Sequence, residues 1–159
     1  MVMVDTLVGA SVWEQGIYDH LLSHVETERG ILESYRDAAE RSESAAFRYL
    51  VDLIIDDEIR HHKRFSELAE ALRSDAELSA EPPAVPRLDW YKADHNVIRE
   101  LTDALIAQER ADAKELERLR RDLKDVKDTT MWVLLVKLME ADTAKHLEIL
   151  NFIRHHISL

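Results

Sequence analysis

All three prolines of this 159-residue chain fall at Pro82, Pro83 and Pro86, and only three glycines occur anywhere in it. Proline and glycine are the strongest breakers of regular structure, so a chain this poor in both favours long helices over a many-turned sheet. Its abundant Ala, Leu, Glu, Arg and Asp point the same way, and the class reads as all-α. Breakers cluster at RSES (41–44), SDAELSAEPPAVPRLD (74–89) and KDVKDTT (124–130). They leave four helical segments, roughly 8–40, 44–73, 91–124 and 129–156. The first and third connections are short and predict two antiparallel hairpins. The middle one is long enough to cross from one end of a bundle to the other, giving a four-helix bundle with its crossover between helices 2 and 3.

The length suits a single domain over 1–159 with a core that needs no disulfide. With 32 acidic and 21 basic residues the formal charge is −11, which repels nucleic-acid phosphates and anionic lipid heads. No apolar run reaches about 18 residues, and MVMVDTLVGA lacks the basic start and apolar middle of a secretion signal. A soluble, cytoplasmic protein with neither nucleic acid nor membrane as partner is expected. The chain has no Cys, so thiolate zinc sites, iron–sulfur clusters and cysteine nucleophiles are excluded, and any metal must be held by His and carboxylates.

The helical stripes carry such residues. Helix 2 reads Phe47, Val51, Ile54, Glu58, His61, Phe65, Leu68 and Leu72 in steps of three and four. Helix 1 reads Ile17, Leu21, His24, Glu28, Ile31 and Tyr35. Helix 3 reads Ile98, Thr102, Leu105, Glu109, Asp112, Leu116, Leu119 and Leu123, and helix 4 reads Trp132, Leu135, Met139, Asp142, His146, Ile149 and Ile153. Each stripe is interrupted at mid-length by His or carboxylate. Reflecting Glu58 and His61 through a hairpin centre near residue 42 lands near positions 26 and 23, close to Glu28 and His24. Reflecting His146 through a centre near 127 lands at 108, beside Glu109. Carboxylates in an apolar core cost several kcal/mol each unless compensated, and a metal ion compensates several at once. Glu28, Glu58, His61, Glu109 and His146 are therefore expected around one buried centre, with Asp112, Asp142 and His24 as further ligands. His62 falls off the stripe, and His61 is preferred to it.

These residues resemble the rubrerythrin and bacterioferritin branch of the ferritin-like superfamily. In that family helices 1 and 3 each supply a Glu, and helices 2 and 4 each supply a Glu-x-x-His, together binding two metal ions. Glu58-Ile59-Arg60-His61 matches the motif directly, Glu28 and Glu109 stand as the single carboxylates, and Tyr35 follows Glu28 by seven residues. In EADTAKHLEIL the ligand His is His146, but Thr143 occupies the place of the family's bridging Glu. The resemblance implies iron or manganese, one or two ions, and dioxygen or peroxide as the reactant of a di-iron oxidoreductase or ferroxidase. Glu28 and Glu109 would be terminal ligands, Glu58 would bridge, and His61 and His146 would each cap one ion. The cysteine pairs of a rubredoxin domain are absent, which excludes a self-contained rubrerythrin peroxidase. A homo-oligomer is also expected.

Thr143 makes the two ion positions unequal and predicts partial or single-ion occupancy, the position at His146 drawing on Asp112, Asp142 or water for negative charge. His24-x-x-x-Glu28 also has a spacing used by haemerythrin-like bundles, but the other helices do not follow that pattern. The competing expectation is a degenerate ferritin-like bundle, without redox chemistry, acting as an interaction or scaffold protein. Metal content separates the two.

Overall fold

A computed structural model describes residues 6–80, 82–86, 88–125 and 131–157. Among the described residues the chain is all-helical, with four α-helices, two short 3₁₀ turns and no strand. The α-helices are α1 (Val12–Arg41), α2 (Ala45–Ala76), α3 (His95–Asp122) and α4 (Trp132–Ile157). None is long and apolar enough to cross a membrane.

Local chemistry sets the ends. The first helix begins at Val12, four residues later than predicted, because Ser11 and Glu14 form a capping box. The Glu14 backbone N–H donates to Ser11 Oγ at 3.2 Å, and the Ser11 N–H donates to the Glu14 carboxylate at 2.7 Å. Just upstream, Gly9 adopts φ +92°, and a Cβ there would lie 2.8 Å from the Ala76 carbonyl oxygen. That left-handed turn, open to glycine at no steric cost, directs Leu7 into the core, where its N–H donates to Gln15 Oε1 at 2.8 Å. Ser44 and Asp94 cap α2 and α3 through the backbone N–H groups of Phe47 and Val97. Residues 91 and 92, expected to open the third helix, lie instead in a separate 3₁₀ turn, Trp90–Lys92. The predicted start of the fourth helix at 129 lies outside the described residues.

The chain divides into two compact units, residues 1–87 and 88–159. In the first, Leu7, Tyr18 and Leu21 pack with Ala69, while Ala39 packs with Val51 and Ile55. These pairings run in opposite order along α1 and α2, so the unit is an antiparallel hairpin closed by the connection at 42–44. Between its two apolar clusters lie the levels of residues 24–28 and 58–62. In the second unit, ion pairs join Asp103 to Arg154 at 3.1 Å and Arg120 to Glu140 at 3.0 Å, again in antiparallel order. Val136, Thr143, Leu150 and Ile157 are buried on α4 at intervals of seven, and Thr102 and Ile106 are buried on α3.

The sequence stripes divide in two within each hairpin. On α2 the buried and half-buried face runs through Val51, Ile55, Glu58, His62, Phe65 and Ala69, whereas Phe47, Ile54, His61 and Leu68 are exposed. On α4 the buried row 136, 143, 150, 157 lies beside an exposed row that includes Trp132, Met139, Asp142, His146 and Ile149. The apolar arc of each helix is wider than the seam one neighbouring helix can cover, so a stripe read at spacings of three and four spans both sides of its edge.

Candidate metal centre

In the first unit Glu28 on α1 and Glu58 on α2 meet across the hairpin together with His62. One ligand atom from each of Glu28, Glu58 and His62 lies within 4.8 Å of the other two, and all three side chains are half-buried. His62 Nε2 stands 3.2 Å from Glu28 Oε2, and His24 Nε2, one turn before Glu28, stands 3.4 Å from Glu28 Oε1. Two imidazoles thus bracket one carboxylate. Ligands held about 2.1 Å from a common ion at angles near 90–109° lie roughly 3.0–3.4 Å apart, so these two separations match adjacent positions on one metal.

The preference for His61 over His62 is reversed by burial. The His62 side chain is 18% exposed and faces α1, whereas His61 is 61% exposed and pairs with Glu58, Nδ1 to Oε2 at 3.3 Å. Consecutive residues on a helix point about 100° apart, so one of two adjacent His must turn away from a given neighbour. Glu58 reaches both: His61 is at i+3 and His62 at i+4. His24 also packs on Phe65, with ring centroids 4.4 Å apart, which holds its imidazole at the level of Glu28. Arg64 lines the same pocket as His24, Glu28, Glu58 and His61, but its guanidinium pairs with Glu67 at 2.9 Å.

The other predicted residues gather in the second unit. His146 Nδ1 lies 3.2 Å from Glu109 Oε1, bringing α3 and α4 together at that level. Asp112 and Asp142 line the same pocket as Glu109 and His146, with Glu115 and Thr143. Gln108 Nε2 donates to Asp112 at 2.7 Å, and Lys145 Nζ donates to Asp142 at 2.5 Å. The eight residues singled out from sequence thus fall into two groups, His24, Glu28, Glu58 and His61 in the first hairpin, and Glu109, Asp112, Asp142 and His146 in the second.

Sequence reasoning set His62 aside in favour of His61 and did not single out Glu115. For His62 the available signal was the i, i+4 step from Glu58, in line with Val51 and Ile55. Glu115 stands in the charge-rich run AQERADAKELERLRRDLKD, read as a solvated face, but it is one turn beyond Asp112. Chemically, two carboxylates and one or two imidazoles form a donor set for a divalent transition ion, the oxygens suiting hard ions and the nitrogens adding affinity for iron and zinc. Comparison with family models, curated proteins and solved structures finds no match to this chain.

Proposed function

We propose that this protein binds iron or manganese in a ferritin-like four-helix bundle, with the segment around Pro82–Pro86 as the crossover between its hairpins. The observation that carries the reading is the convergence of Glu28, Glu58 and His62 across α1 and α2, with His24 on the far side of Glu28. The exposed apolar rows beside the site residues, Ile54 and Leu68 on α2 and Met139 and Ile149 on α4, support it as surface that a bundle would cover. Without an ion, the two half-buried carboxylates have imidazoles as their nearest partners, at distances long for hydrogen bonds. A bound iron or manganese ion would supply redox chemistry towards dioxygen or peroxide. The protein's own part is to present the carboxylates and imidazoles in a fixed frame, with Glu28 and Glu58 balancing the ion's charge and the open face beside His61 admitting a small oxidant.

The test is metal analysis of the full chain purified without chelator, followed by oxygen uptake after anaerobic loading with ferrous iron. The expected result is bound iron or manganese that the isosteric Glu58→Gln variant no longer retains, with oxygen uptake in the unmodified chain alone. Equal, background-level metal in both proteins would overturn the reading.

A further inference from the structure

Apolar side chains of α4 stand exposed on two faces. One, with Met139 and Ile149, is the face that carries Asp142 and His146. The other is an outer row of Leu134, Leu138 and Phe152, with Ala141 between them. At about 100° per residue, Leu134 and Leu138 each lie about 160° around the helix from buried Val136, and Phe152 lies as far from buried Leu150. The buried row is turned towards α3, since Glu140 and Arg154 beside it pair with Arg120 and Asp103. The outer row therefore points away from α3, which cannot cover it. Leu134 and Leu138 are 40% exposed and Phe152 50%. At its C-terminal end the row already seats an aromatic ring: Trp90 stacks on His156 with centroids 5.8 Å apart and meets Phe152 at 6.5 Å. Lys145 interrupts the row at mid-length, but its ammonium is drawn to Asp142 at 2.5 Å, which leaves its methylene stem as contact surface.

The row also matches its own reverse. Residue 143 is midway between Leu134 and Phe152. Exposed Lys137 and Glu148 fall on the same flank of the row, and their midpoint lies between 142 and 143. One twofold axis at that level would set Leu134 against the partner's Phe152 and Lys137 against the partner's Glu148, each contact being made twice. Parallel pairing would oppose like charges instead. A patch that fits itself in reverse is what an isologous interface requires and what an unrelated partner does not.

We propose that the outer row of α4 is a homodimer interface, along which a second copy of this chain packs antiparallel about a twofold axis near residue 143. The row from Leu134 to Phe152 is about 27 Å long, so one helix from each copy makes a small, reversible interface, with a dissociation constant on the order of micromolar. The inference stands on α4 and Trp90 and does not depend on metal.

The experiment is sedimentation equilibrium of the full chain from submicromolar to submillimolar concentration, with helicity checked by circular dichroism. The unmodified chain should pass from monomer to dimer across that range. Leu138→Glu should weaken the dimer at least about 100-fold, because the lost burial counts twice. Lys137→Glu and Glu148→Lys, both at exposed positions, should each weaken it roughly tenfold by opposing like charges, and the double variant should recover to within about threefold of the unmodified chain. A chain that stays monomeric throughout would leave the row to some other partner and overturn the proposal. A dimer indifferent to Leu138→Glu, or one that the double charge exchange fails to restore, would equally overturn it, by showing another surface or another orientation.

Discussion

Replacing His61 and His62 one at a time by Ala distinguishes the candidate ligand set that α1 and α2 bring together from the one suggested by Glu58-x-x-His61. His62 is one of three residues whose ligand atoms cluster within 4.8 Å, whereas His61 pairs with Glu58 from the exposed side. With metal at about 100 times Kd, binding stabilises the folded chain by about 2.7 kcal/mol. Loss of one ligand should weaken binding by about 100-fold, the upper end found for the outer partners of ligands, which leaves about 0.4 kcal/mol of that stabilisation. The missing ~2.3 kcal/mol corresponds to roughly 5–9 °C in Tm for a chain of this size. Thermal melts with and without Co²⁺, an air-tolerant ion for the same nitrogen and oxygen donors, measure it, each variant being compared with its own metal-free melt. His62→Ala should lose most of the metal-induced shift, and His61→Ala should keep most of it. The opposite ranking would show that the buried histidine is a structural neighbour of Glu28 and that the exposed one holds the ion.

Gly9→Ala should cost about 1–3 kcal/mol in urea unfolding, since the new Cβ meets the Ala76 backbone oxygen at a positive φ, and the cost should shrink in a Leu7→Ala background where the segment has less to anchor. The Glu14 carboxyl is held below its ordinary value of 4.5 by its bonds with Ser11, so the cap it makes is in full force above that value and is lost as pH falls through the lower folded one; Glu14→Gln should flatten this part of the acid dependence of α1 helicity. Thr143→Glu places a carboxylate in the buried row of α4 and should lower metal-free stability by roughly 1–3 kcal/mol while raising metal stoichiometry towards two, read by unfolding and by metal analysis of one preparation. Leu150→Ala, in the same row, should cost about 2–4 kcal/mol whether or not metal is present.

Helix number, approximate bounds and the short connection at 42–44 were legible because the breakers are few and sharply placed. The polar interruptions at Glu28, Glu58, Glu109 and His146 were legible for the same reason, each standing out against Leu, Ile and Phe at helical spacing. What periodicity could not decide was which edge of a wide apolar arc its hairpin partner covers. A rotation of about 100° separates His61 from His62, and both positions remain within reach of Glu58. Thr143 shows the same ambiguity from the other side: left out of the stripe of His146 and read only as the place of an absent bridging carboxylate, it occupies the buried row with Val136, Leu150 and Ile157. The capping box at Ser11 and Glu14 was written in the sequence, but the helical pattern running through it drew the predicted start four residues too early.

The placement of Glu28, Glu58 and His62 between two separate apolar clusters has a consequence for how the first hairpin opens. Leu7, Tyr18, Leu21 and Ala69 hold one end, Ala39, Val51 and Ile55 hold the other, and among the described residues no buried apolar side chain of α1 or α2 bridges the level between them. Stability in such a hairpin should be distributed in two parcels, with amide protons in the two halves of α2 expected to exchange through separate local openings. An ion tied to both helices at the midpoint would fuse those parcels, so that either half could open only by giving up the shared ligands. Metal would then register as a slowing of exchange that spreads to both ends of α1 and α2 at once, turning a hairpin with two loose halves into a single cooperative element.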